Sequence, residues 1–147
     1  MKRSGSSIKE WNIVFLNETT STMDEVKKSK YNSEDKLAIY AGKQIKGRGR
    51  RSNNWISDEG NLFISLRIKK TKIKKHFMIN YLTSIAVYET INKYLSKKNV
   101  FIKWPNDILV NNKKIAGILI ETTNTQGVIE DIIVGVGINI KNAPKDL

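Results

Sequence analysis

A chain of 147 residues fits one domain with a real core, and 39% hydrophobic with 27% charged residues marks an ordered globular protein rather than a disordered one. The absence of cysteine excludes disulfides, a thiol nucleophile and a cysteine metal site, and a single histidine, His76, argues against a multi-histidine metal centre or a serine–histidine triad. The formal net charge of +12 favours polyanions, anionic substrates or an acidic partner protein.

Residues 11–16 (WNIVFL) are a bulky apolar run and predict a strand. Thr19-Thr20-Ser21-Thr22 then offers helix caps before Met23-Asp24-Glu25-Val26, with Lys27, Lys28 and Lys30 suited to the far end of that helix. Residues 36–42 (KLAIYAG) predict a second strand, followed by a Gly- and Arg-rich loop up to Ser57. Residues 61–68 alternate, with Leu62, Ile64 and Leu66 on one face and Phe63, Ser65 and Arg67 on the other. Residues 76–95 predict a helix whose apolar stripe is Met78, Leu82, Ile85, Tyr88, Ile91 and Leu95. Residues 99–104, 115–121 and 128–138 predict further strands, with a hairpin turn at Asn111-Asn112. Strands outnumber helices and the last three lack helical crossovers. An α+β domain with a mixed, mostly antiparallel sheet backed by helices is expected.

Much of the positive charge falls in Lys43–Arg51, Arg67–Lys75 and Lys93–Lys103. A solvated surface is the plain reading of the lysine run between Lys69 and Lys75. No apolar run reaches the roughly 20 residues that span a bilayer. Met1–Glu10 is basic and lacks the apolar stretch of a signal peptide, so a cytoplasmic protein is expected.

Four segments carry chemistry. Gly47-Arg48-Gly49-Arg50-Arg51 combines glycines that let the backbone approach a ligand with arginines whose planar forks suit phosphate or carboxylate. Its spacing is not that of a Walker P-loop, and a nucleic-acid-binding run has the same composition. Trp55 after it stacks on a base or anchors the loop to the core; both readings stand. Lys103-Trp104-Pro105-Asn106-Asp107 ends a strand on a stiff turn. It either bonds its own backbone or presents an amide and a carboxylate to a ligand, a metal ion or an attacking amine. Lys114 stands at the mouth of a strand containing Gly117, and Gly135-Val136-Gly137-Ile138-Asn139 places two more glycines in an apolar strand. Glycine inside a strand marks a bulge or a close approach by another group.

Taken in order, Ser21-Thr22-Met23, Gly47 to Ser52, Lys103 to Asp107, Lys114 to Glu121 and Gly135 to Asn139 closely resemble the biotin protein ligase family. The five matches span roughly residues 11–140, and the Gly-Arg-Gly-Arg-Arg loop with Lys-Trp-Pro-Asn-Asp is the most specific combination. The resemblance implies the class II synthetase-like fold of biotin and lipoate ligases, with biotin and Mg-ATP as substrates. It also implies a two-step reaction: biotin is activated as biotinyl-5′-adenylate, then passed to a lysine of a biotin carboxyl carrier domain. Ser21, Thr22, Gln44, Gly47, Arg48, Arg50, Gly117 and Ile118 are implied to hold biotin. Arg48, Gly49, Arg50, Arg51, Trp55, Asn106, Lys114 and Asn139 are implied to hold the nucleotide. The catalytic roles fall to Lys114 and Arg50 at the phosphate and to Asp107 at the acceptor amine. The metal ligands for Mg2+ stay unassigned.

Met23 departs from the family's usual Asn, and Ser52-Asn53 from its Gly-Arg. Residues 1–10 are read as a tail and 11–147 as the catalytic domain, stopping short of the domain's C-terminal part and of a small β-barrel. No DNA-binding domain is expected, and a homodimer is an admissible assembly. The rival readings are a lipoate or octanoyl ligase, a basic nucleic-acid-binding module, and a fragment that keeps the fold without turnover.

Overall fold

The computed structural model describes residues 11–69, 77–95, 99–125 and 128–141. The N-terminal tail, His76, Pro144 and the lysine run beyond Lys69 lie outside these.

Strands β1 (Asn12–Thr19), β2 (Lys36–Gln44), β3 (Leu62–Ile68), β4 (Val100–Lys103), β5 (Asp107–Val110), β6 (Lys113–Thr125) and β7 (Val128–Ile138) form a seven-stranded sheet ordered β1-β2-β3-β7-β6-β5-β4. β1 and β2 are parallel and every other neighbouring pair is antiparallel, which is the mixed α+β sheet expected. Parallel neighbours require a crossover. Here it is built from helix α1 (Thr22–Glu25) and a 3-10 turn at Ser29–Tyr31. The second helix, α2 (Phe77–Tyr94), packs beside β4, β5 and β6. Among the described residues no helix is long and apolar enough to cross a membrane.

The Asn111-Asn112 turn stands as expected, with both residues at positive φ (50° and 66°) joining β5 to β6. That geometry matches the right-handed twist of a tight hairpin, and Asn tolerates it. β5 has no counterpart among the expected strands, because four residues after a proline turn are too few for alternation to show.

One expectation about a face is corrected. In α2 the buried residues are Ile79, Ser84, Val87 and Ile91, while Met78, Leu82 and Ile85 of the expected stripe are exposed, Leu82 at 63%. Apolar residues surround this helix, so spacing alone selects no face. In β3 the expected alternation holds, with Phe63, Ser65 and Arg67 the buried set and Leu62, Ile64 and Leu66 the half-buried one. The reason is that both faces of the sheet are covered. Ile64 and Leu66 pack with Ile79, Val87, Ile91, Ile118 and Val134 on the α2 side. The opposite face carries Met23, Val26, Leu37, Ile39 and Ile133 under α1.

Arg67 shows how the α1 face is held. It is 3% exposed, and its guanidinium donates to the carbonyls of Val26 (2.5 Å), Tyr31 and Glu34 (3.4 Å). A charge is buried here because the α1-to-β2 connection turns its carbonyl oxygens toward it. The segment bearing Ser21 and Thr22 is thereby tied to the sheet centre. Glu25 closes α1. Burial works to raise its pKa, but hydrogen bonds from the Lys28 and Lys30 ammonium groups outweigh burial and hold it below the usual carboxylate range. Those lysines serve Glu25 rather than a longer helix, since α1 has only four residues.

Candidate active site

Register builds the site floor. Gly117 of β6 lies opposite Gly137 of β7, and Gly135 lies opposite Leu119. Phe63 and Ser65 of β3 flank Gly137 and Gly135 from the other side. Three glycines on one face therefore open a trough at the sheet centre. A Cβ on Gly137 would lie 2.5 Å from the Trp55 indole, one on Gly117 2.7 Å from it, and one on Gly135 2.6 Å from the Met23 sulfur. The close approach expected of these glycines is thus made by Trp55 and Met23.

Trp55 arrives on a compact loop. Trp55 N–H donates to the Gly47 carbonyl (2.9 Å), Arg48 bridges to Asn54, and Gly49 N–H donates to the Asn53 carbonyl (2.7 Å). Arg51 caps this small hairpin in the left-handed region at φ 54°. The loop is latched over the trough. Arg48 pairs with Asp24 (2.8 Å) and Glu121 (3.2 Å), and Arg50 donates to the Asn106 side-chain oxygen at 2.7 Å. Asn106 is itself fixed to β6, accepting from Ile118 N–H at 2.8 Å and donating to its carbonyl at 3.3 Å. Within Lys103–Asp107, Asn106 bonds the backbone of β6 rather than of its own turn. Asn106 and Asp107 both line the cavity beside this turn. The Trp104–Pro105 peptide in this turn is cis.

Lys114 Nζ lies 2.9 Å from Asp107 Oδ1, close enough for an ion pair although not aligned as a hydrogen bond. The same ammonium is 5.2 Å from the Trp55 ring centre, within cation–π range.

Two adjoining cavities result. The inner one, about 60 Å3, is lined among others by Ser21, Thr22, Gln44, Arg48, Gly117 and Ile118. The outer one, about 600 Å3, takes in Arg51, Asp107 and Asn139. Gly49, Arg50, Trp55, Asn106 and Lys114 line both. The sequence-derived site residues are thus gathered in one place, with Gly47 at the loop base. A larger groove of about 1210 Å3 follows the outer side of the loop and misses Asn106, Lys114 and the glycine floor. The inner cavity is far below the roughly 300–1,000 Å3 of ordinary ligand pockets, because Trp55 and Met23 occupy the glycine floor.

The polar atoms around these cavities are incompletely satisfied. Ser21 Oγ, Trp55 Nε1 and both amide atoms of Asn139 are buried with no hydrogen-bond partner. Such groups are costly unless something pairs with them. Among the described residues no cluster of three or more acidic, histidine or cysteine side chains could hold a metal on its own.

Four contributors had no role assigned from the sequence. Ser65 donates to Thr22 Oγ1 (2.8 Å), and Ser57 accepts from Gln44 Nε2 (2.9 Å). Asp24 and Glu121 hold Arg48. A lone serine or carboxylate does not name its partner; only the fold shows it.

A family model for biotin/lipoate A/B protein ligases matches residues 15–139. The bifunctional ligase/repressor BirA of Bacillus subtilis is 35% identical over 133 residues, covering 89% of this chain and 40% of that protein. The biotin–[acetyl-CoA-carboxylase] ligase of Paracoccus denitrificans is 30% identical over 131 residues, covering 88% of this chain and 55% of that protein. The Leishmania major biotin protein ligase, solved in complex with biotinyl-5-AMP, superposes with a TM-score of 0.78 at 31% identity, over 91% of this chain and 59% of that one. The chain therefore spans about half the length of the relatives it matches.

Proposed function

The chain belongs to the biotin/lipoate A/B protein ligase family, and within it we propose that this protein is an ATP-dependent biotin protein ligase. The observation that carries the reading is the shared wall. One cavity lined by small polar groups and one lined by Asn139, Asp107 and Arg51 meet at Arg50, Asn106 and Lys114. A reaction that joins a carboxylate to the α-phosphorus of ATP brings two anions together. It needs fixed positive charge at their junction.

In the first step an oxygen of the biotin carboxylate attacks the α-phosphorus, and the bond to pyrophosphate breaks. Arg48 and Arg50 hold carboxylate and phosphate, and Lys114 stabilises the charge. Mg2+ enters with the nucleotide phosphates, as is usual for this ion. In the second step a lysine amine of a biotin carboxyl carrier domain attacks the acyl carbon. The bond to AMP breaks and the amine loses a proton. Asp107, beside Lys114, is placed to orient or deprotonate that amine. The closed loop keeps water from the mixed anhydride between the steps. On this reading residues 11–147 belong to the catalytic domain of a cytoplasmic enzyme.

The inner cavity favours biotin over lipoate. Thr22 N–H (2.8 Å) and Thr22 O–H (3.0 Å) both donate to Gln44 Oε1. Gln44 Nε2 therefore keeps one N–H to spare beyond its bond to Ser57, and Ser21 Oγ is unpaired. A cyclic urea offers one carbonyl and two N–H groups to such a set, whereas a dithiolane offers none. Sites built on buried hydrogen bonds reject analogues that lack them by roughly 10⁴ or more. Titration calorimetry with each ligand is expected to show biotin binding and lipoate failing to bind at millimolar concentration. Equal affinities would remove the case for biotin.

A further inference from the structure

We propose that Ser57 is a positioning residue for substrate recognition: it fixes the plane of the Gln44 amide and ties it to the backbone of Trp55. The inference deepens the biotin reading and rests on it. Ser57 is 5% exposed and does not line the inner cavity, so its effect on a ligand passes through Gln44.

The directions of the hydrogen bonds leave no alternative arrangement. Thr22 N–H is an obligatory donor, so Gln44 turns Oε1 toward it at 2.8 Å. Gln44 Nε2 then faces Ser57 and donates to its Oγ at 2.9 Å. The Ser57 hydroxyl, having accepted, sends its own proton to the Trp55 carbonyl at 3.0 Å. Thr22 alone would hold the amide at its oxygen end and leave the plane free to rotate. Ser57 supplies the second point, which aims the remaining N–H. Gln44 N–H also donates to the Ser57 carbonyl at 3.3 Å, so the two residues run side by side.

The same hydroxyl joins recognition to loop position. Trp55 is the residue whose indole lies on Gly117 and Gly137, and its carbonyl is the acceptor at the end of the chain. Gly47 leaves room for this junction: a Cβ there would lie 2.3 Å from the Trp55 carbonyl oxygen and 2.4 Å from Ser57 Oγ. The Ser57 hydroxyl thus links the Gln44 amide directly to the backbone of the Gly-Arg loop at Trp55.

The test is a double-mutant cycle read by biotin affinity, with Mg-ATP affinity measured on the same samples. Ser57→Ala is expected to weaken biotin about tenfold, the equivalent of one neutral hydrogen bond, and to leave Mg-ATP binding within about twofold of wild type. In a Gln44→Ala background the same change is expected to have no further effect, and Ser57→Thr, which keeps the hydroxyl, is expected to bind biotin as wild type does. If Ser57→Ala does not fold by thermal melting, Ser57→Cys takes its place in the cycle, being close in size and a poor hydrogen-bond partner. The proposal is overturned by an undiminished loss in the Gln44→Ala background, by equal weakening of Mg-ATP, or by unchanged biotin affinity in the single variant. Wild-type protein that binds no biotin overturns the ligase reading and this proposal together, whereas wild-type binding with a silent Ser57→Ala overturns this proposal alone.

Discussion

Lys114→Ala is expected to slow adenylate formation by roughly 10²–10³-fold, the usual cost of removing a preorganised group that meets charge in the transition state. Lys114 stands with Arg50 at the junction of the two cavities, its ammonium 2.9 Å from Asp107 and 5.2 Å from the Trp55 ring. On the proposed mechanism this ammonium exchanges Asp107 for a phosphate oxygen. Single-turnover pyrophosphate release with saturating biotin isolates this step from binding. On the proposed reading Ser21, Thr22 and Gln44 hold biotin, so biotin affinity is expected to change far less than the rate. Lys114→Arg is expected to restore only part of the rate, because a planar fork does not occupy the position of a compact point charge. An undiminished rate in Lys114→Ala would remove this residue from the chemistry.

Gly137→Ala is expected to do comparable damage by a different route. The added Cβ would stand 2.5 Å from both Cε2 and Nε1 of Trp55, a distance that rigid indole atoms do not tolerate. Either the indole lifts from the trough or the strands part. Overpacking of this kind costs about 1–3 kcal/mol of stability. Because Trp55 walls both cavities, displacing it also opens the site to water and loosens the loop. Denaturant unfolding with an adenylation assay measures both effects. The diagnostic partner is the double variant with Trp55→Ala, which removes the obstructing ring and is expected to be less destabilised than Gly137→Ala plus the cost of losing the indole. Simple additivity would mean that the clash is not the cause.

The segments that carry chemistry were legible because each breaks a local rule. Glycines in an apolar strand, a proline turn followed at once by an amide and a carboxylate, and a loop with three arginines all cost stability unless something repays it. Periodicity located β3 and α2 but not their inward faces. The α2 sequence is apolar nearly all round, and β3 is covered on both sides. The burial of Arg67 was not legible because burying a guanidinium requires carbonyls from a segment more than thirty positions away, which no local pattern displays. Ser57 and Ser65 were silent for a related reason. Their roles are defined by the direction of hydrogen bonds across strands, and direction is a property of the assembled network. The resemblance supplied Ser21, Thr22 and Gln44 as ligand contacts; the residues that orient them came from geometry.

The helix that backs the sheet also bears on energetics. Met78, Leu82 and Ile85 stay exposed while a serine, Ser84, is buried and donates to the Pro105 carbonyl at 3.4 Å. That bond ties α2 to the turn that presents Asn106 and Asp107, so the helix supports the site as well as the core.

The central claim is that one chain activates biotin at the shared wall of two cavities. The most direct test follows pyrophosphate release from Mg-ATP by the purified, folded protein, with biotin, with lipoate and with neither. Release that depends on biotin alone, with biotinyl-5′-adenylate identified by mass in the same tube, is the predicted result. Release driven equally by lipoate, or none with biotin at saturating concentration, would contradict it.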